Sequence, residues 1–147
     1  MSWIIKHGER REFAKGAIFS INYIGPDLDL PVRLNNDEMD LLIKEARDLG
    51  LAAKYRGSKG YTVWVSKKGF LGTFRGCADI DQWPDTDSLS ISPGISDVKG
   101  HLEVVDTLLR RTILGRKVME LWMSRNGIGY DEAKTLLEEI TPLARNS

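Results

Sequence analysis

Cysteine is almost missing from this chain: in 147 residues, Cys77 is the only one. A lone thiol excludes an internal disulfide and a cysteine-built zinc cluster, and it suits a reducing compartment. Histidine is scarce too. His7 lies near a terminus and His101 near an expected helix start, and nothing in their spacing pairs either with Cys77 as a nucleophile and base. No apolar run approaches the roughly 18–20 residues of a membrane span, and Trp3-Ile4-Ile5 is shorter than the ~7-residue core of a signal peptide. A cytoplasmic location without membrane contact is expected. Charge of one sign is lacking as well, because 21 Lys and Arg balance 21 Asp and Glu. No global field then draws the chain to nucleic acid or to an anionic membrane. A G-x-S-x-G elbow, a phosphate-binding loop, an HExxH pair and a dinucleotide fingerprint are all missing. The sequence assigns no catalytic residue, cofactor or metal, and a non-enzymatic protein is expected.

What the chain does have is one stretch in which aromatic and basic residues interleave with no acid among them. Lys54 to Gly76, KYRGSKGYTVWVSKKGFLGTFRG, reads as three short strands joined by two turns. Leu51–Arg56 is expected to pair with Tyr61–Ser66 across Gly57-Ser58-Lys59-Gly60. That strand is expected to pair onward with Phe70–Ala78 across Lys67-Lys68-Gly69. Lys54, Arg56, Lys59, Lys67, Lys68 and Arg75 supply cations, while Tyr61, Trp64, Phe70 and Phe74 supply rings. Cations neutralise phosphates and exposed rings on strands stack bases, so nucleic-acid binding is one reading. In the other, the rings are core and the lysines guard turns and edges against aggregation. The alternating Gly72 and Gly76 imply a bend, a bulge or close approach of another backbone.

Around this meander the signals are simpler. Ser2–Lys6 and Ala17–Ile24 read as strands, the second with Phe19, Ile21 and Tyr23 on one face, and His7–Glu12 as a charged break. Gly25-Pro26-Asp27 ends the second, leaving GPDLDLPVRL as an extended loop. Asn35–Leu49 is a helix: Asn35 or Asn36 caps it, Met39, Leu42, Ile43, Ala46 and Leu49 form its dry stripe, and Gly50 ends it. Asp79 to Gly100, rich in Asp, Pro and Ser, reads as one long acidic loop. Asp79, Asp81, Asp85 and Asp87 alternate there as hard-cation ligands do, but the glycine and terminal glutamate of a calcium loop are missing.

The last third is helical. Ser96 or Asp97 caps a helix that runs past Gly115 or restarts there; Asn126-Gly127-Ile128-Gly129 stops it, and a closing helix spans Asp131–Ile140, ended by Pro142. Residues Arg111 to Ile140 resemble the ANTAR module of bacterial antitermination regulators. Leu121, Met123, Gly127, Asp131, Glu132, Ala133, Leu136 and Leu137 sit at compatible places. That family's RNA-facing helix is basic where this chain has Glu138-Glu139, and an acidic helix repels phosphate. The segment is therefore read as a packing hairpin. Trp122 and Met123, on a helix with apolar residues at many angles, suit an interface anchor.

Together these features give one α+β domain over 1–147. Its first part, 1–95, is a curved, mostly antiparallel sheet of about four or five strands under one packing helix, and a C-terminal helical hairpin fills 96–142. The function expected is that of a regulatory or accessory protein that binds another macromolecule, a protein partner or a second copy of itself. Nucleic-acid binding through the meander is the first alternative. The second is a small-molecule site or enzyme near it, with Tyr61, Trp64, Arg75 and Asp79 around a pocket.

Overall fold

The computed structural model describes residues 8–21, 26–93 and 98–145. The expected strand at Ser2–Lys6, the end of the strand expected to reach Ile24, and the proposed Ser96 or Asp97 cap lie outside them. The architecture is α+β. Among the described residues, seven strands run β1 (Arg10–Ala14), β2 (Ala17–Ile21), β3 (Pro26–Leu30), β4 (Ala52–Tyr55), β5 (Thr62–Lys68), β6 (Phe74–Asp81) and β7 (Leu89–Ser92). Four helices, α1 (Asn36–Asp48), α2 (Val98–Arg111), α3 (Ile113–Asn126) and α4 (Tyr130–Arg145), complete it. All seven strands join one antiparallel sheet in the order β1-β2-β3-β7-β6-β5-β4.

The sheet is larger than four or five strands for identifiable reasons. The segment PDLDL is a strand, with Pro26 at its first position, where a missing amide is tolerated, and with Leu28 and Leu30 inward while Asp27 and Asp29 turn out. LSIS does the same within the expected acidic loop, burying Leu89 and Ile91. A strand of four or five residues needs only two or three inward side chains, so its period is brief and surrounding acids mask it. Part of the expected charged break is strand as well: Arg10–Glu12 pair with Ser20–Ile18 at the sheet edge, where charge on both faces is tolerated.

Cross-strand register places the apolar residues on one face. Val63 opposes Ile80, which opposes Ile91, which opposes Leu28, which opposes Phe19. These five are buried, and they share one core cluster with Met39, Leu42 and Ala46 of α1, Leu102, Val105 and Leu108 of α2, and Val118 and Trp122 of α3. The helices therefore cover one side of the sheet.

Helix α1 follows the sequence closely. Asn35 accepts from the Glu38 amide and Glu38 accepts from the Asn35 amide, a reciprocal cap that satisfies two otherwise free donors. The C-terminal part is three helices rather than a hairpin. Thr112 interrupts the long apolar pattern: its hydroxyl donates to the Leu108 carbonyl and accepts from the Leu114 amide, closing α2 and capping α3. Gly127, at φ +63°, ends α3 as expected. Pro142 does not end α4, which continues to Arg145.

Gly76 fixes how close the helical layer sits. Its φ is +65°, and a Cβ there would lie 2.2 Å from the backbone carbon of Gly100 in α2. The register of β5 against β6 also shifts here, with an extra residue on β6, the bulge that a left-handed glycine permits. Gly127 has nearly the same φ but nothing within 4 Å. Gly127→Ala should therefore cost about 1 kcal/mol, the left-handed penalty alone. Gly76→Ala should cost at least about 2 kcal/mol more, because α2 must move. Urea denaturation of the two variants measures the difference.

Candidate protein-binding surface

Alternation sends every second side chain of the sheet away from the core. On this outer face Thr62, Asp81, Ser90, Asp29 and Ile18 form one cross-strand row, and Lys54, Trp64, Asp79 and Ser92 form the next. The face is a polar platform with aspartates at its centre and cations toward its edges. Arg10 reaches Asp29 at 4.0 Å from one edge, and Arg56 reaches Asp79 at 3.6 Å from the other. Asp81 accepts from the Thr62 hydroxyl at 2.8 Å.

Asp79 is the unusual member. It is 9% exposed, and its buried Oδ1 has no hydrogen-bond partner, since the Arg56 guanidinium stops short of bonding distance. Burial raises its carboxyl above the ordinary range; Arg56 opposes the rise and the neighbouring Asp81 adds to it.

At one border of the platform the β5–β6 hairpin ends in an apolar tip. The expected turn Lys67-Lys68-Gly69 is displaced by a few residues: β5 continues through Lys68, Phe70–Gly72 form a single 3-10 turn, and β6 starts only at Phe74. The Gly69 amide donates to the Thr73 carbonyl to close it. Leu71 stands at φ +55°, a left-handed backbone that a side chain of its kind rarely adopts, and it is 86% exposed. Phe74, 54% exposed, meets Trp64 edge to face with ring centroids 5.0 Å apart. The Lys54 ammonium lies over the Trp64 ring, 5.6 Å from its centroid, within cation–π range.

The cations named from sequence do not form a free basic surface. Lys59 pairs with Asp40 at 3.1 Å, and the same carboxylate accepts from the Tyr55 hydroxyl at 2.6 Å. Lys67 pairs with Glu103 of α2, Arg56 with Asp79, and Lys54 sits on Trp64. Lys68 is exposed and has no acidic partner among the described residues. The side chains of Phe70 and Arg75 lie outside the description. Tyr61 is exposed and faces a separate cleft lined by Arg33, Asn35, Lys59 and Gln82. Trp64 and Asp79 are not in the lining of that cleft and stand side by side on the platform.

The interface role read for Trp122 is overturned. It is 1% exposed, and its indole N–H donates to the Lys15 carbonyl at 2.9 Å, tying α3 to the β1–β2 turn. Met123 is half-buried against the core. Sequence reasoning missed the acidic rows, although the alternation of Asp27 with Leu28 and of Asp79 with Ile80 carried the signal. No three His, Cys, Asp or Glu among the described residues are placed to hold a metal ion, and none of the described helices is long and apolar enough to cross a membrane. Compared with known protein families, with curated proteins and with solved structures, the chain finds no match.

Two outcomes follow. Trp122→Phe removes the donor to Lys15 and part of the indole volume from a buried site, and should lower stability by about 2 kcal/mol or more in urea titration. For Asp79 the folded carboxyl holds its proton more tightly than the unfolded one, whose ordinary value is 3.8. Folding therefore takes up a proton as pH rises from there to the raised folded value, and stability falls across that interval. Asp79→Asn should raise the melting temperature at pH 7, and the gain should shrink as pH drops from the raised folded value to 3.8.

Proposed function

We propose that this chain works by binding a protein partner, with the hairpin tip as anchor and the adjoining outer sheet face as the polar remainder of the contact. The observation that carries the reading is the tip itself. Leu71 is held almost fully exposed on a left-handed backbone, next to an aromatic pair fixed by mutual packing. Strained backbone and exposed apolar side chains both work against stability, and they gather where a surface is kept for contact. Anchors of protein interfaces are typically a few such side chains, ringed by polar groups that exclude water once the partner is in place.

A specific interface covers about 800 Å² on each partner, more than a hairpin tip offers. The row through Asp29 and Asp81 supplies the rest, and it favours a partner that brings lysine or arginine to those half-buried aspartates. A regulatory or accessory role through such contact fits this reading.

Nucleic acid is favoured less. The aspartate rows would repel phosphates, and Lys54, Arg56, Lys59 and Lys67 would first have to leave partners within the chain. A second copy of the chain is an admissible partner, since the surface carries both signs of charge.

The reading is tested with immobilised protein and an extract of its source cells. The wild-type chain should retain a discrete protein, and Leu71→Asp and Phe74→Asp should each weaken that complex by roughly tenfold or more. Tyr130→Asp, which alters an exposed ring elsewhere, should leave it intact. Equal retention by all variants, or retention only of nucleic acid that salt releases, counts against the proposal.

A further inference from the structure

The helical layer holds a second surface that the binding reading does not use. Where α2 ends and α3 begins, α4 folds back to enclose a cleft of about 680 Å³. Its buried lining is apolar, from Leu109, Met119 and Leu137, and its exposed lining is cationic, from Arg110, Arg111, Arg116 and Lys134. Glu138 is the only acid in the lining. Tyr130, 60% exposed, adds a ring at the mouth.

The corner is rigid. Thr112 ties α2 to α3 through both its hydroxyl bonds, and a Cβ on Gly115 would lie 1.8 Å from the Leu109 carbonyl oxygen, so the two helices touch backbone to backbone. Two of the four cations are paired with acids that are not part of the lining. Glu45 holds the Arg116 guanidinium with both oxygens, at 2.9 and 3.0 Å, while also accepting from the Ile113 amide. Asp106 holds Arg110 at 3.1 Å. Arg111 and Lys134 have no acidic partner among the described residues.

We propose that this cleft binds a small amphipathic anion, a phosphate or carboxylate head group on a short apolar body. Guanidinium and ammonium groups on a low-dielectric wall draw an anion in and bond it more strongly than they would in open solvent. The buried leucines and methionine accept the apolar remainder, and the volume lies within the range that takes small ligands rather than single ions. The site rests on residues remote from the hairpin tip, so it stands or falls independently of the partner-binding proposal.

The test uses the full chain with phenyl phosphate, benzoate, inorganic phosphate and phenol as probes, followed by calorimetry and by amide NMR at low ionic strength. Phenyl phosphate or benzoate should bind saturably, shifting the signals of Thr112, Gly115 and Lys134, and whichever binds tighter identifies the preferred head group. Inorganic phosphate and phenol should each bind at least about tenfold more weakly, since each lacks one half of the recognition. Arg111→Ala combined with Lys134→Ala should weaken the better probe by about tenfold or more while melting as the wild type does. The proposal fails if no probe saturates, if the shifts map elsewhere, or if the double variant binds like the wild type. It fails equally if a short single-stranded RNA shifts these signals and phenyl phosphate does not.

Discussion

An antiparallel sheet covered on one side has no freedom in where its polar residues go. Once Phe19, Leu28, Ile91, Ile80 and Val63 line up across five strands under the helices, every neighbour in sequence must face the other way. That constraint fills the outer face with aspartate, serine and threonine, and it brings Asp29, Asp79 and Asp81 together from distant parts of the chain. It also explains why Asp79 keeps an unbonded carboxylate oxygen. Shifting β6 by one residue would not relieve Asp79: it would carry Asp79 and Asp81 into the core and turn Ala78 and Ile80 out of it, a far larger loss.

The helical layer and the outer face of the sheet together account for the fate of the basic residues. In the folded chain most of the meander's cations meet an internal partner: Lys59 on Asp40, Lys67 on Glu103, Arg56 on Asp79 and Lys54 on the Trp64 ring. Each contact is exposed enough to contribute little stability. Their larger effect is on recognition, because a phosphate would have to compete for cations that already have neighbours. The hairpin tip meets no such competition. Leu71 is fully presented, and the close approach of Gly76 to Gly100 anchors the base of its hairpin to α2.

Much of this was legible in the sequence where the signal was local. The cap and stripe of α1, the pairing of β4 with β5 and of β5 with β6, and the stop at Gly127 rest on residues a few positions apart. The third and seventh strands were not legible, because PDLDL and LSIS are short and sit among prolines and acids that read as loop. The turn at Thr112 was hidden because the apolar period runs through it, and the break depends on one hydroxyl bonding in both directions. For the site, the interleaving of rings and cations drew attention to the meander, where Trp64 stands on the outer face. The acidic partners of those cations come from α1, β6 and α2, separated along the chain, so their pairing is visible only once the layers are stacked. Trp122 misled for a related reason: a large aromatic on a helix with apolar residues at many angles suits a core or an interface, and only tertiary packing chooses between them.

The central claim is that the sheet's outer face and the hairpin tip are open to a partner. It is met most directly by solvent paramagnetic relaxation, with a soluble gadolinium chelate added to the isotope-labelled chain. The Leu71 methyl groups, the Phe74 ring and the Asp29 side chain should lose signal at low chelate concentration, while Val63, Ile80 and Ile91 remain sharp. Protection of Leu71, Phe74 and Asp29 to the level of those core residues would mean that the face is already covered, and the contact surface would have to be sought elsewhere on the molecule.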